Sequence, residues 1–289
     1  MENEVKGSLF IVAAVFLYSL IGVFSRFAGM NVFALVFYKV ALAAFFFFFI
    51  FVFERRSIGR LKMDWSMTRF LIPSGFVVAI TEVTFIGAYL NTTLANAAFI
   101  NGLFPIFVII LSFLFLEERV DSRTLFSLVI GITGVGFIVG ADFFVMLNEK
   151  NLFGDALALI SALTYAAFMI YSRERAKMKL DIYYFVFWSY AIAALFVLPF
   201  NLAYGTFVIP LASVIWIAVL AFLCTNIAFI LFCKGFEYID ASKGSIVALA
   251  EQLFVIINAF LFFGEGLSPL EFIGAALIIS SVVLAEMKR

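Results

Sequence analysis

Apolar positions in this chain neither alternate nor recur as a stripe; they run almost unbroken for about twenty residues at a time, separated by short polar segments. Runs long enough to cross a hydrocarbon core of ~30 Å, about 20 residues each, fall at 7–26, 32–53, 70–90, 93–115, 123–141, 153–172, 182–204, 211–233, 243–263 and 269–286. The pattern predicts an all-α membrane protein of ten transmembrane helices with short connections. The first run has neither a basic leader nor a small-x-small cleavage site and is followed by more apolar helices, so it reads as a span rather than a cleaved signal. Ser268-Pro269-Leu270-Glu271 has the spacing of a capping box with proline at the first helical position, and Asp121 opens the fifth helix in a similar way.

The connections carry the orientation. If the amino terminus is cytoplasmic, that side holds Lys6; Arg55, Arg56, Arg60, Lys62 and Arg69; Arg119 and Arg123; Arg173, Arg175, Lys177 and Lys179; Lys234 and Lys243; and Lys288 and Arg289. Against these sixteen, the other side has Arg26 and Lys150, and Lys39 lies within a helix. Basic residues gather in cytoplasmic loops, so both termini are expected in the cytoplasm.

The chain also repeats itself at a spacing of 147. Phe107 to Ile110, Phe113 to Phe115 and Glu118 reappear as Phe254 to Ile257, Phe260 to Phe262 and Glu265, an identity at eight of twelve consecutive positions where ~10–20% would match by chance. Gly7, Tyr18, Ser25 and Arg26 align with Gly154, Tyr165, Ser172 and Arg173; at a spacing of 150, Val36-Phe37, Ala41 and Ala43-Ala44 align with Val186-Phe187, Ala191 and Ala193-Ala194. These echoes predict two five-helix halves, 1–142 and 153–289. An odd number of spans turns the second half over, and homologous loops carry opposite charge bias. Five basic residues follow the second helix and none follows the seventh; four follow the sixth, against Arg26 alone after the first. Inverted repeats are a recurring architecture of secondary transporters, with the substrate near the midplane between the halves.

Composition narrows the chemistry. The chain is 65% hydrophobic and 13% charged, against roughly 45–50% and about 25% in soluble domains. Its 19 basic and 19 acidic side chains cancel, and no dense basic block offers phosphates a footing, so nucleic acid is not an expected partner. The absence of histidine removes the Ser/His/Asp triad, H-E-x-x-H zinc sites and imidazole-ligated haem. No G-x-x-x-x-G-K-[S/T] loop is present to bind ATP. Cys224 and Cys233, nine apart, face opposite sides of one helix and read as free buried thiols. No cofactor or metal is expected; the expected partners are a small-molecule substrate, the lipid bilayer and protons.

The segment Pro105 to Val120, its echo Glu251 to Ser268, and the glycine-bearing fifth and tenth helices (Gly131, Gly134, Gly136, Gly140 and Gly274) resemble the EamA-type family of the drug/metabolite transporter superfamily. The likeness covers nearly the whole chain. It implies a carrier of small metabolites, often amino acids or related compounds, in a prokaryotic cytoplasmic membrane. It also implies a hinge at Pro105. Gln252 stands where the family's second half commonly has a proline, which leaves a matching hinge there open.

Three ionisable residues lie deep in the apolar runs: Lys39, Glu82 and Glu251. Each costs at least ~2.5–3.5 kcal/mol at a helix centre, so all three should face the bundle interior. Counting helical rise from the boundary places Lys39 and Glu82 roughly 20–22 Å from the cytoplasmic face and Glu251 roughly 12 Å, in a separate layer. Their repeat counterparts, Ser189, Phe229 and Phe104, are uncharged, which favours a specific use. One ammonium and two carboxylates could receive a zwitterion; alternatively Lys39 and Glu82 form a static ion pair, and Glu251 a protonated carboxyl held within the bundle. An apolar setting penalises a charged carboxyl, which makes Glu82 and Glu251 candidate proton carriers. Gln252, Asn258, Asn101, Tyr18, Tyr89, Tyr165, Trp188 and Asn226 are further candidates, as pathway lining or as interhelical bonds and anchors. Phe45 to Phe49 point all round their helix, as lipid-facing or packing surface. The expected function is alternating-access transport; a passive channel or lipid-carrier flippase is the alternative, and an intramembrane enzyme a distant third.

Overall fold

The computed structural model describes residues 2–53, 65–92, 94–118, 120–139, 152–206, 208–264 and 268–286. Arg55, Arg56, Arg60, Lys62, Arg119, Lys150, Lys288 and Arg289, which enter the charge count, and Glu265, which enters the repeat, lie outside them. Among the described residues the secondary structure is helical, with no strand. Eight spans are long and apolar enough to cross a bilayer: Asn3–Ala28, Val32–Phe49, Met67–Asn91, Phe99–Leu116, Leu152–Lys177, Ile182–Tyr204, Leu211–Gly235 and Ala241–Phe263. Two shorter apolar helices, Ser122–Ile138 and Pro269–Ala285, fall where the sequence places a fifth and a tenth span.

Several spans are not single helices. The first consists of α1 (Glu2–Ser19) and α2 (Ile21–Ala28), joined at Leu20. It is followed by α3 (Val32–Phe53) and α4 (Trp65–Asn91). The fourth divides into α5 (Leu94–Asn101) and α6 (Phe104–Leu116), with Pro105 in the first turn of α6. Proline is tolerated there because that turn's N–H groups have no intrahelical acceptor. After α7 (Ser122–Val139), α8 (Leu152–Lys177) and α9 (Ile182–Tyr204) comes α10 (Leu211–Val219), which runs through a π-helical segment, Leu220–Ile227, into α11 (Ala228–Gly235). The ninth span divides into α12 (Ala241–Ala248) and α13 (Ala250–Phe263), and α14 (Pro269–Glu286) closes the chain. The ninth-span break at Leu249 occurs without proline, beside the Gln252 that stands in its place.

Both written helix starts are made as the sequence predicts. Ser268 and Glu271 exchange hydrogen bonds with each other's backbone N–H, and the Asp121 carboxylate accepts from the Thr124 N–H at 2.8 Å. The core is shared between spans: α7 packs on α14, α3 on α9, α4 on α8 and α9, and α1 on α11 and α13. At the α7–α14 crossing the backbones approach so closely that a methyl group on Gly274 would meet the Gly134 carbonyl oxygen at 2.5 Å. Small residues permit such approaches in lipid, where van der Waals packing drives association. Outside, large apolar side chains such as Phe113, Phe115, Phe126 and Leu195 are exposed. In the phenylalanine run, Phe45, Phe48 and Phe49 face outward while Phe47 is buried in the core.

Candidate functional site

Two adjoining chambers lie within the bundle. The inner one, about 520 Å³, is lined by Glu82 and Glu251 and by the rings of Tyr18, Phe85, Tyr165, Phe168, Tyr190 and Phe229, with Ile21, Val78 and Thr81 completing it. The outer one, about 870 Å³, shares Tyr18, Ile21, Phe85 and Glu251 as a common wall. It continues past Ser19, Ser25 and Tyr89 to Arg26, Met30, Leu90 and Phe263 at one end of the bundle. The Arg26 guanidinium lies over the Phe263 ring, 4.9 Å from its centroid.

The buried charges are unequally placed. Lys39 is wholly buried on α3, its ammonium donates to the Glu82 carboxylate across to α4, and it does not line either chamber. Glu82 keeps a face toward the inner chamber. Glu251, in the first turn of α13, is 6% exposed, lines both chambers and stands beside the Tyr165 hydroxyl. Glu82 and Glu251 therefore line one chamber.

Beyond the chamber, on the side away from Arg26, stacked rings form a floor. Phe232 packs on Tyr165 (6.1 Å between centroids), Phe168 (5.5 Å), Tyr18 (5.7 Å) and Phe236 (4.9 Å). Beneath it is a polar network. Arg173 donates to Glu118, to Asp240 and to the Phe236 carbonyl; Glu118 also accepts the Ala241 N–H at 3.0 Å. Arg175, 2% exposed, donates to Glu237 and to the carbonyls of Leu180 and Cys233, while Lys177 donates to the Leu116 carbonyl. Burial, reinforced by Asp240 nearby, holds the Glu118 carboxyl above its ordinary range despite Arg173 and the Ala241 N–H. These contacts tie the ends of α6 and α8 to the α11–α12 connection.

The family model for EamA-like transporters matches the chain twice, over residues 5–140 and 152–287. The chain belongs to the EamA-like transporter family, within the drug/metabolite transporter superfamily, and is a multi-pass membrane protein. An uncharacterized transporter of Archaeoglobus fulgidus is 28% identical over 281 residues, 96% of each chain. The pseudopaline exporter CntI of Pseudomonas aeruginosa is 26% identical over 254 residues, covering 82% of this chain and 86% of that one. A solved crystal structure shares the fold at a TM-score of 0.82 over 98% of both chains, with 16% identity.

Within this EamA-like chain the other sequence candidates divide. Tyr18 and Tyr165 line the inner chamber and Tyr89 the outer. Asn258 donates to the Ser19 hydroxyl at 2.8 Å, Asn101 to the Ser161 hydroxyl at 3.1 Å, and Asn226 to the Ala43 carbonyl at 3.2 Å. These are interhelical bonds. Gln252 is buried beside Glu251, and Trp188 packs partly buried against Phe187; neither lines a chamber. Pro105 opens α6 below the break after Asn101, the place the family resemblance gives to a hinge. Sequence reasoning missed Thr81, Phe85, Phe168, Tyr190 and Phe229 as chamber walls, and the Arg173–Glu118 contact. The repetition of Glu118 as Glu265 was a signal for that glutamate; nothing distinguished the rings.

Proposed function

We propose that this chain is a secondary carrier, not an enzyme, that moves small organic ions, amino acids and related zwitterions among them, across a prokaryotic cytoplasmic membrane by alternating access. The observation that carries this reading is the charged chamber itself, continuing to one end of the bundle and sealed from the other by the ring floor and the Arg173–Arg175 network. Two inverted halves are supported by packing that keeps its pattern when the halves are exchanged. The pairing of α1 with α11 answers that of α8 with α4, α1 with α13 answers α8 with α6, and α3 with α9 and α7 with α14 answer themselves. The left-handed residues support the same reading: Glu117 and Gly264 end α6 and α13 at the spacing of 147, and Gly29 and Lys179 follow α2 and α8 at 150.

Lys6, Arg173, Arg175, Lys177 and Lys243 gather at the sealed end, which the positive-inside rule makes cytoplasmic. The chamber then faces outward, and transport requires the polar network to release while the opposite end closes. The exporter named among the relatives supports an organic cargo. Glu251 and Glu82 are the groups through which protons would be coupled. The test is counterflow of labelled amino acids, amines and organic acids in proteoliposomes at two pH values. Saturable counterflow is expected; current that grows linearly with the gradient would instead make the protein a channel.

A further inference from the structure

We infer that the inner chamber selects organic monocations carrying an aromatic or apolar body, with Glu251 as the counter-ion and no provision for a carboxylate. This rests on the carrier reading and keeps the organic cations of its substrate class while setting the zwitterions aside. The argument begins with charge. Two carboxylates face the inner chamber and no basic side chain does. Lys39, the cation that would have received a substrate carboxylate, is wholly buried behind Glu82 and occupied by it. Glu82 is thereby neutralised. Glu251 has no lysine or arginine within ion-pairing distance among the described residues, and its neighbour is the neutral Tyr165 hydroxyl. A buried carboxylate without a partner is costly, and an entering cation relieves that cost.

The walls agree with the charge. Six rings surround the inner chamber, and the face of an aromatic ring attracts a desolvated ammonium or guanidinium. An α-amino acid fits poorly, because its carboxylate sits on the same carbon as its ammonium. Held at Glu251 by its ammonium, it would lose the hydration of its carboxylate to a wall that offers no free cation. The nearest lining cation, Arg26, is eight residues along the first span from Tyr18, roughly 12 Å at helical rise, and lies over Phe263.

The test uses three ligands with one body: 2-phenylethylammonium, phenylalanine and 3-phenylpropanoate. Binding of each to the full-length protein in nanodiscs is measured by calorimetry at neutral pH, and counterflow in proteoliposomes beside it. The amine should bind at least tenfold more tightly than phenylalanine, and 3-phenylpropanoate should show no saturable binding. Glu251→Gln should weaken the amine at least tenfold; should that variant fail to fold, Glu251→Asp, which keeps the charge but withdraws it, should weaken it less than tenfold and keep the ligand order. Phenylalanine binding as tightly as the amine, saturable 3-phenylpropanoate binding, an amine affinity indifferent to Glu251→Gln, or no binding of any of the three at 10 mM would each overturn the inference. Counterflow of phenylalanine at concentrations as low as those that suffice for the amine would sink the inference and leave the carrier standing, whereas the expected binding order without counterflow would do the reverse.

Discussion

The two ends of this bundle are closed by different chemistry. At the end bearing Glu4 and Lys243, charged side chains tie the helices: Arg173 to Glu118 and Asp240, Arg175 to Glu237, and Lys177 to a carbonyl. At the other end, among the described residues, the ties are donated by hydroxyls rather than by guanidinium groups. Tyr38 donates to the Thr206 carbonyl, Ser213 to the Ala28 carbonyl and Thr92 to Asp155, and the chamber continues between them to Arg26. The Arg173–Asp240 pair, whose carboxylate is exposed, can exchange its partners for water at modest cost, whereas the ring floor behind it cannot. The difference teaches that the sealed end is held by contacts suited to release, with an apolar plug that moves only once they have let go.

The largest effect should come from Arg175. Its guanidinium is buried and supplies Glu237 and two carbonyls, so Arg175→Ala leaves several acceptors unmatched. We expect a loss of about 3 kcal/mol in mixed-micelle unfolding, the low end of what breaking a buried pair costs because Glu237 is partly exposed. Ser213→Ala at the opposite end removes one neutral bond and should cost about 0.5–1.5 kcal/mol. Equal losses at the two ends would erase the contrast.

Arg173 should show the same contrast as motion. Its side chain is 17% exposed and joins α8 to Glu118 and to the α11–α12 connection. Cys233, wholly buried on α11, has its carbonyl bound by Arg175 and its thiol near Ser172, so its access to a maleimide reports release of this end. In a Cys224→Ala background, Arg173→Ala should speed labelling of Cys233 about tenfold, which corresponds to a shift of about 1.4 kcal/mol in the closing equilibrium. Unchanged labelling would mean that the rings alone hold this end.

How much of this was legible in the sequence depends on what had to differ from lipid. The spans could be read because a bilayer demands long apolar runs. The Lys39–Glu82 pair could be read because charges at equal depth on neighbouring spans need each other. The breaks were uneven: Gly102 and Pro105 mark the one after Asn101, whereas Leu20 and Leu249 look like any helical leucine. The chamber walls were illegible because the chain holds 41 phenylalanines, and a ring facing substrate carries the same letter as one facing lipid. Only the third dimension separates Phe168 and Phe229 from Phe113 and Phe115.

The smallest effect, and the most diagnostic of release by water, is a pH dependence at Glu118. Burial first, then Asp240, raises its pKa from the ordinary 4.5 in the sealed state, against Arg173 and the Ala241 N–H, which lower it. A carboxyl raised in the closed state binds more protons there than when solvated. Its contribution to closure is therefore complete below the ordinary value and is lost as pH rises through the raised one. Acidification should tighten the sealed end, and Glu118→Gln, which keeps an acceptor for the Ala241 N–H without the charge, should hold it at its acid level throughout. The readout is the ratio of Cys233 labelling in Glu118→Gln to that in the parent at each pH, which cancels the thiol's own dependence. That ratio should lie near one at pH 4 and fall as pH rises; a ratio flat across the range would mean that Glu118 keeps its proton balance when this end opens, and so never reaches water.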